Sequence, residues 1–365
     1  MNEHLSTNTG IIIPTMNRVD FVIRQLRYYA SIKCLHTIYI GDSSSKKESE
    51  KIQDEINRLG NTINVKYYYL PNHNIWQAHY RLTTEVKEKY TCLSGDDDYQ
   101  IPDSITKCAE FLEANPEYTT ASGHAISFRL KQNGVYGELL RLADYKRGQI
   151  ENDTGAKRIM NFFNNYYVTF FSVNRTKQTM EYWKSSEKIP DQAFGSEILP
   201  NSLSLIHGKS KILDCLGFVR QIHGQYNGLL NSFDWMMGKD WNLSFEIFTK
   251  ILTEKIAVAD NIGINEADQI VKQVSWKYLA KRLSRGYAEI YEEPSSVSGG
   301  VVFYLKKVRL LAGKKLPWLK NLYRQKIRPL TKALPQIHDE VLRGGSKYFG
   351  DFKPVIDSFT GHNSV

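Results

Sequence analysis

The chain of 365 residues is long enough for one large domain or two smaller ones, and 41% of its residues are hydrophobic, which is ample for a core. It contains no run of 18 apolar residues, and its polar first ten residues lack the apolar centre of a signal peptide. We therefore expect a cytoplasmic protein without a transmembrane helix. The four cysteines form no Cys-x-x-Cys pair and lie in apolar segments, which favours buried thiols over disulfides.

The net charge of +9 comes from one segment near the C-terminus. Residues 294–338 contain ten lysines or arginines and no acid, so the rest of the chain carries about −1 (+9 minus +10). Cations alternate there with Leu, Trp and Tyr, which is typical of a segment that lies on an anionic membrane surface. A solvated face of helices packed on the rest of the protein is the alternative. We expect no nucleic-acid partner, because the chain has no helix-turn-helix, zinc or RNA-binding signature.

Hydrophobic runs and amphipathic segments alternate through about the first 130 residues. The runs predict strands at residues 10–15, 36–40, 63–70, 90–93 and 119–128, and the amphipathic segments predict helices at 20–31, 46–59, 75–89 and 101–115. Such alternation predicts an α/β fold with a mostly parallel, doubly wound sheet flanked by helices. Because ligands bind beyond the carboxyl ends of such strands, the polar residues after each strand are expected to share one crevice.

Three adjacent carboxylates follow the fourth predicted strand, at Asp96, Asp97 and Asp98. Adjacent carboxylates repel one another unless a positive group neutralises them. Mg²⁺ or Mn²⁺ commonly joins one or two carboxylates to the phosphates of a substrate. The triplet therefore favours a metal–diphosphate site. A solvated acidic turn before the helix that begins at Pro102 is the alternative.

The loops after the first two predicted strands contain motifs that help to interpret the triplet. Thr15-Met16-Asn17-Arg18, Gly41-Asp42-Ser43-Ser44 and Asp97-Asp98, four residues before Pro102, resemble the motifs of the family 2 glycosyltransferases. More narrowly, they resemble a bacterial branch with an acidic triplet at this point. The resemblance covers roughly residues 8–225. It implies the single Rossmann-like domain called GT-A and the transfer of a sugar from a nucleotide diphosphate with inversion.

The resemblance also implies roles for single residues. Asp42 would bind the base, typically uracil, and the metal ion, Mn²⁺ or Mg²⁺, would be held by Asp98 and then Asp97. The complete nucleotide-sugar site includes Pro14, Thr15, Arg18, Asp42, Asn72, Arg81, Asp96, Asp97, Arg220 and His223. Arg220 and His223 belong to it because Leu216–His223 is similar to the family's closing Tyr-Arg-x-His stretch, whose basic residues face the diphosphate.

Three positions depart from the family pattern. Gly41 stands where the family often has an Asp, and Gly95 takes the place of the first acid of Asp-x-Asp-Asp. Where the family has Ala-Arg-Asn, this chain has Ala78-His79-Tyr80-Arg81. Arg81 is therefore the candidate cation at the diphosphate, with His79 as the alternative. A surface or partly buried position in the helix is the other interpretation of His79.

Inverting transfer needs a carboxylate that takes the proton of the acceptor hydroxyl. In the family this is the second acid of a Glu-Asp pair beside a helix start, and this chain has Ser196-Glu197 there. Glu197 is therefore the candidate base and Asp191 the second choice. A glutamate in the first turn that only favours the helix dipole is the alternative.

The rest of the chain is less specific. Lys131–Ile150 is predicted to be a polar hairpin or loop, and Tyr166–Val173 a strand whose aromatic residues form either a sugar platform or ordinary core. Beyond about Gly228 we find no glycosyltransferase motif. We expect a GT-A catalytic domain at 8–228, a helical appendage at 229–293, and a basic amphipathic segment and tail at 294–365.

These patterns predict an inverting, metal-dependent enzyme that moves a sugar, favoured as a UDP-sugar, to a hydroxyl of a glycan or lipid-linked acceptor. The expected setting is bacterial surface polysaccharide synthesis, on the inner face of the membrane if the basic segment binds lipid. A nucleotidyltransferase is disfavoured because the first loop lacks glycine and lysine. A glycoside hydrolase needs two carboxylates but no diphosphate site. A binding protein of this fold that has lost catalysis remains open.

Overall fold

The computed structural model describes residues 8–224, 232–291 and 337–361. The strands are β1 (Thr9–Thr15), β2 (Thr37–Asp42), β3 (Val65–Tyr69), β4 (Tyr90–Leu93), β5 (Tyr99–Gln100), β6 (Tyr118–Leu130), β7 (Leu139–Tyr145), β8 (Val173–Arg175) and β9 (Lys209–Gln221). The first seven helices are α1 (Val19–Ser31), α2 (Lys46–Leu59), α3 (Ile75–Glu85), α4 (Pro102–Ala114), α5 (Gly155–Asn164), α6 (Thr176–Ser186) and α7 (Leu199–His207). They are followed by α8 (Ser232–Met236), α9 (Trp241–Asp260), α10 (Ile264–Tyr291), α11 (Ile337–Glu340) and α12 (Phe349–Thr360).

One nine-stranded sheet forms the centre of the molecule, in the order β3-β2-β1-β4-β8-β6-β9-β5, with β7 paired to β6. Strands β1 to β4 are parallel, and so is the pair β6–β9, whereas β5, β7 and β8 run antiparallel to their neighbours. Helices flank this sheet, and the C-terminal region is helical. The structure therefore confirms the predicted α/β class with its large sheet, flanking helices and helical C-terminal extension.

The register of the parallel strands places their ends side by side. Thr15 at the end of β1 lies opposite Asp42 at the end of β2, and Ile12 lies opposite Leu93 at the end of β4. Every residue of β1 and β2 is buried, as expected for strands covered on both faces. The loops that follow β1, β2 and β4 therefore leave the sheet at one edge.

The last described residues, 337–361, belong to the core of the sheet domain. Phe359 stacks on Phe128 of β6 at 4.6 Å between ring centroids, and Phe352 and Val355 are fully buried beside α1. Burial of an aromatic side chain contributes about 2–3 kcal/mol, so α12 stabilises the sheet domain itself. The predicted division at residue 294 remains a prediction, because the basic residues between 306 and 332 lie outside the described residues.

A second core joins the appendage to the sheet domain. Phe162 of α5, Phe248 of α9 and Val271 of α10 are buried in one hydrophobic cluster. The carboxylate of Asp260, at the end of α9, accepts hydrogen bonds from the first backbone amides of α5 at 2.6 and 2.7 Å. A carboxylate at a helix N-terminus is favoured by the helix dipole, so this contact fixes α9 against α5.

The prediction of a strand at Tyr166–Val173 is wrong, because only Val173–Arg175 pairs as β8. Side chains satisfy the backbone here instead of a strand partner. The amides of Thr169 and Phe170 donate to Asn201, at 2.7 and 2.9 Å. Carbonyls in the same segment accept from the partly buried Arg147.

Two other segments complete the comparison with the predicted elements. The hairpin predicted within Lys131–Ile150 is confirmed by β7, which pairs antiparallel with β6. Leu216–His223 was expected to follow a strand, but its residues as far as Gln221 are the second half of the long β9. Among the described residues, no helix has the length and apolar character needed to cross a membrane.

Candidate functional site

The loop between β4 and β5 carries the acidic triplet, and Gln25 of α1 holds this loop from the protein side. The amide nitrogen of Gln25 donates to Ser94 Oγ at 2.9 Å, to the carbonyl of Gly95 at 2.9 Å and to the carbonyl of Asp98 at 2.7 Å. Gln25 is fully buried. A single side chain thus fixes the backbone path that presents the carboxylates.

Arg24 ties the same loop to β9. Its buried guanidinium donates to the carbonyl of Asp97 at 2.9 Å, to Gln221 Oε1 at 2.5 Å and to the carbonyl of Val135 at 2.7 Å. The backbone amide of Gln221 in turn donates to Asp98 Oδ1 at 3.1 Å. The sequence analysis did not identify Arg24 or Gln25. Their helical position was the available signal, since each follows a buried residue, Phe21 or Val22, by three places.

Arg18 bridges two acids of the triplet. Its Nη1 lies 2.8 Å from Asp96 Oδ1 and its Nη2 lies 2.6 Å from Asp97 Oδ2. Thr15 Oγ1 donates to Asp96 Oδ2 at 2.8 Å, and His223 Nε2 lies 2.7 Å from Asp97 Oδ2. The structure therefore brings together five of the predicted site residues, from the ends of three different strands.

The three carboxyls have different pKa values because burial, neighbouring charges and hydrogen bonds act on each of them differently. Burial, followed by the charge of Asp97, raises the pKa of Asp96 to about 7. Burial acts against ionisation of Asp97 too, but the hydrogen bond from His223 and the charge of Arg18 lower its pKa to about 2. Burial and the neighbouring Asp97 raise the pKa of Asp98 well above its usual value. Asp97 is thus the acid that carries its charge most firmly.

We expect Arg18→Met to destabilise the fold, because it leaves the buried Asp96 and the partly buried Asp97 without their guanidinium. Breaking a buried pair of this kind costs about 3 kcal/mol. Without Arg18 the folded-state pKa values of Asp96 and Asp97 rise, and a raised carboxyl pKa reduces stability as the pH increases through it. The loss of melting temperature should therefore be larger at about pH 8 than at about pH 5, where protons neutralise the acids.

Arg27→Met is the matched control on the same helix, because Arg27 is half-exposed and its partner, the buried Glu55, keeps a second cation in Arg58. Since Glu55 is not left without a cation, this variant should lose less stability than Arg18→Met. Equal melting temperatures for the two variants at both pH values would show that Arg18 is not needed to neutralise the triplet.

Gly95 leaves room for the carboxylates. A Cβ at this position would lie 2.8 Å from Asp97 Oδ1 and 2.9 Å from Asp98 Oδ2, so both oxygens converge on the space above the glycine. This geometry gives a physical reason for the departure from the family pattern at Gly95, because any side chain would push the two acids away.

We expect Gly95→Ala to weaken donor binding roughly tenfold, through displacement of these two oxygens. The accompanying loss of stability should be about 1–3 kcal/mol, as for other overpacked sites. Gly263→Ala is the control, since a Cβ there meets no atom within 4 Å. Titration with the nucleotide, followed calorimetrically, measures both variants, and equal affinities would contradict the importance of this space.

The two oxygens above Gly95 have the chemistry of a Mg²⁺ or Mn²⁺ site. In the part of the chain that the structure describes, no group of three or more His, Cys, Asp or Glu side chains could hold a metal ion. Mg²⁺ is nevertheless commonly bound by one or two carboxylates and completed by phosphate oxygens and water. Asp97 and Asp98 fit such a shared site, and the phosphates of a substrate would provide the remaining ligands.

Asp42 lies at the same edge of the sheet but is engaged within the fold. It is fully buried, and its two oxygens accept from the backbone amide of Ser44 at 2.8 Å and from Tyr67 Oη at 2.7 Å. Ser44 Oγ accepts from the amide of Asn17 at 2.7 Å, which joins this turn to the loop after β1. Asp42 therefore holds the turn after β2 in place, and its role at a base remains a prediction.

The other predicted donor residues are spread more widely. Pro14 lies in β1, opposite Gly41, where it forms the buried floor before Thr15. Asn72 is exposed in the loop after β3, with a positive φ of 66°. Arg81 is exposed on α3 and pairs with Glu85 of the same helix. The structure thus gives Arg81 a partner other than the triplet.

His79 is unsuited to be the cation at a diphosphate. It is 4% exposed and packs against Trp183 of α6, at 4.4 Å between ring centroids. Burial lowers the pKa of His79 to about 3, so the imidazole is neutral at physiological pH. His79 is therefore a buried helix position, more buried than the surface or partly buried position considered as the alternative.

Glu197 lies in a π-helical turn, Phe194–Ile198, that leads into α7. Such turns are frequent at functional sites. Tyr166 Oη donates to Glu197 Oε1 at 2.7 Å. Burial raises the pKa of Glu197, and the Tyr166 hydrogen bond and the charges of Arg282 and Arg220 partly oppose this. A carboxylate with a raised pKa is well matched to proton transfer near neutral pH.

Arg220 links Glu197 to the triplet. Its charge lowers the pKa of both Glu197 and Asp98, so it lies within electrostatic range of each. Its Nη1 donates to Tyr145 Oη at 2.8 Å. The candidate base and the triplet therefore share one cation on the face of β9.

Asp191, the second candidate for the base, has a structural partner for each oxygen. Oδ1 accepts from the amide of Phe194 at 2.9 Å, and Trp235 Nε1 donates to Oδ1 and Oδ2 at 3.0 and 3.1 Å. Asp191 therefore caps the π-helical turn and anchors α8. These contacts favour Glu197 over Asp191 as the acid that faces a substrate.

Comparison with known proteins agrees with this arrangement. Residues 10–179, just under half of the chain, match the sequence model of the family described as Glycosyl transferase family 2. The matched segment includes the loops after β1, β2 and β4 and therefore the whole acidic triplet. No curated protein sequence matches the chain.

Among solved structures, S. aureus TarS 1–349 in complex with UDP-GlcNAc is similar, with a TM-score of 0.50 and 14% identity over 79% of this chain and 77% of that chain. The mannosyltransferase PcManGT from Pyrobaculum calidifontis, in complex with GDP-Man and Mn²⁺, aligns with a TM-score of 0.41 and 11% identity over 87% of this chain and 88% of that chain. The likeness to TarS shows the GT-A fold. The family match over residues 10–179 supports a glycosyltransferase.

Proposed function

We propose that the protein transfers a sugar from a nucleotide diphosphate, with a UDP-sugar favoured, to an acceptor hydroxyl with inversion. The observation that carries this proposal is the convergence of Thr15, Arg18, the acidic triplet and His223 beyond the ends of β1, β4 and β9. Such an edge of an open α/β sheet is where ligands bind. The UDP-GlcNAc bound in the TarS complex agrees with the preference for uridine.

Basic side chains of the chain itself surround the place proposed for the diphosphate. Arg18 and His223 lie on Asp97, and Arg220 acts on Asp98. When the donor binds, these groups would neutralise the charge that develops on the leaving nucleoside diphosphate. A divalent ion held by Asp98 and Asp97 would add further neutralisation of the same phosphates.

Glu197 would supply the proton transfer. Its carboxylate takes the proton of the acceptor hydroxyl while the oxygen forms a bond to the anomeric carbon. The bond from that carbon to the nucleoside diphosphate breaks on the opposite face, which inverts the configuration. Tyr166 holds Glu197 Oε1 at 2.7 Å and so fixes the direction in which the carboxylate points.

The acceptor and the cellular setting are further parts of the proposal. We propose a hydroxyl of a glycan or of a lipid-linked sugar as acceptor, in bacterial surface polysaccharide synthesis. The basic residues between 294 and 338 would hold the enzyme at an anionic membrane, with each one near the surface contributing about 1 kcal/mol.

An assay of donor consumption tests the function directly. The full-length protein is incubated with nucleotide sugars, Mn²⁺ or Mg²⁺ and glycan acceptors, and both free nucleoside diphosphate and glycosylated product are measured. We expect transfer from a UDP-sugar that requires the metal ion. No donor consumption with any nucleotide sugar would count against the proposal.

A second candidate is a binding protein of the same fold without catalysis. It is favoured by the pairing of Arg18 with Asp96 and Asp97, which satisfies these acids inside the chain. Calorimetry combined with the donor-consumption assay distinguishes the two, because this candidate binds UDP with Mn²⁺ but never turns over a donor.

A further inference from the structure

The second long helix of the appendage, α10, reaches the candidate base. Arg282 Nη1 donates to Tyr278 Oη at 2.8 Å, and the ring of Tyr278 lies 5.2 Å from the ring of Tyr166. Tyr166 is the residue that donates to Glu197. A chain of contacts therefore runs from α10 to the carboxylate of Glu197, the proposed base.

Arg282 is fixed in this place by α8 as well. Its guanidinium lies 4.5 Å from the ring of Trp235, and its Nε donates to Ser232 Oγ at 3.3 Å. Trp235 is itself held by Asp191, at 3.0 Å from its indole nitrogen. An arginine stacked on a tryptophan and hydrogen-bonded on two sides keeps a defined position.

We propose that Arg282 is a positioning residue of the transfer reaction, which holds Tyr166 against Glu197 through Tyr278 and supplies a cation beside that carboxylate. The inference rests on the proposed function, because it takes Glu197 as the base. It adds that the sheet domain alone does not contain all the residues that position the base for the acceptor hydroxyl. Residues far beyond the glycosyltransferase motifs supply the rest.

The groups that face Glu197 come from three elements. Tyr166 belongs to the loop after α5, Arg220 to β9, and Tyr278 and Arg282 to α10. The two arginines and the Tyr166 hydrogen bond lower the pKa of Glu197, whereas burial raises it. Removal of one arginine should therefore raise the pKa of Glu197, and the acidic limb of the pH–rate profile should move to higher pH.

Arg282→Gln tests this inference in the full-length protein. We expect the acidic limb of kcat/KM to move up by about one pH unit, so that the rate falls roughly tenfold at about pH 6 and recovers at higher pH. Arg282→Lys keeps the charge and should restore most of the limb. Arg285→Gln, an exposed arginine on the same helix, is the matched control and should leave the profile unchanged.

A merely structural role of Arg282 would lower the rate equally at every pH, and that result would overturn the inference. If Arg282→Gln fails to fold, Tyr278→Phe is the second variant, because it keeps the ring but loses the hydrogen bond to Arg282. A pH profile of Tyr278→Phe identical to that of the wild type would also contradict the inference. Failure of the proposed base gives a different result, since Glu197→Gln would then keep its activity. If Arg282→Gln keeps the wild-type pH profile while Glu197→Gln is inactive, the proposed function stands and only the inference about Arg282 is wrong.

Discussion

Replacing Glu197 with glutamine should abolish sugar transfer while nucleotide binding is retained. Glutamine has nearly the same shape and still accepts the hydrogen bond from Tyr166, but it cannot take the acceptor's proton. Loss of a general base lowers the rate by roughly 10²–10⁴-fold. Measured on the same preparation, the rate of transfer should therefore fall while the affinity for UDP stays at the wild-type value.

Glu187→Gln is the matched control, because Glu187 is an exposed glutamate at the end of the preceding helix. It should transfer sugar at the wild-type rate. If Glu197→Gln keeps more than about a tenth of the activity, a smaller loss than removal of a base produces, Glu197 is not the base. Asp191 would then be the remaining candidate for the base, in spite of its hydrogen bonds within the fold.

Replacing Asp98 with asparagine should remove the metal-dependent part of catalysis. The asparagine oxygen can still accept from the amide of Gln221, which is 3.1 Å away, so the loop keeps its support. What is lost is the negative charge that a divalent ion needs beside the diphosphate. We expect transfer to fall roughly a hundredfold, equivalent to about 2.7 kcal/mol of transition-state stabilisation.

The measurement is the rate of transfer as a function of Mn²⁺ concentration. Asp98→Asn should show a much weaker dependence on the metal than wild type. Asp103→Asn, an exposed acid in the first turn of α4, is the control and should follow the wild-type curve. An Asp98→Asn enzyme with an unchanged response to Mn²⁺ would show that Asp98 does not hold the ion.

The sheet and its functional edge could be predicted because they depend on local patterns. Apolar runs such as residues 10–15 and 90–93 are typical of buried strands, and the polar residues after them mark the ligand-binding edge. Thr15, Arg18, Asp96, Asp97 and His223 do meet in the structure. The pattern of strands and polar loops predicted the meeting of the loops after β1 and β4, since parallel strands end on the same side, whereas His223 was placed at the site by the family resemblance.

The strand predicted at Tyr166–Val173 failed for a physical reason. Its apolar composition fits a strand, but Asn201 and Arg147, which are distant in sequence, supply the hydrogen bonds that a neighbouring strand would have made. Periodicity along one segment carries no information about such partners.

The contribution of the appendage could not be predicted either. Arg282 is 85 positions from Glu197 in the sequence, and its proximity depends on how α8 and α10 pack on the π-helical turn. Arg24 and Gln25 show the intermediate case. Their place on the buried face of α1 was predictable, but their partners in the triplet loop were not.

A thermal-shift comparison of nucleoside diphosphates, with and without Mn²⁺, tests the proposed site most directly. A ligand that binds the folded protein raises its melting temperature in proportion to the logarithm of its concentration above the dissociation constant. We expect UDP to stabilise the wild-type protein only when Mn²⁺ is present, and to lose this effect in Asp98→Asn. Equal melting temperatures with and without every nucleoside diphosphate and metal would contradict a nucleotide-sugar site at the acidic triplet.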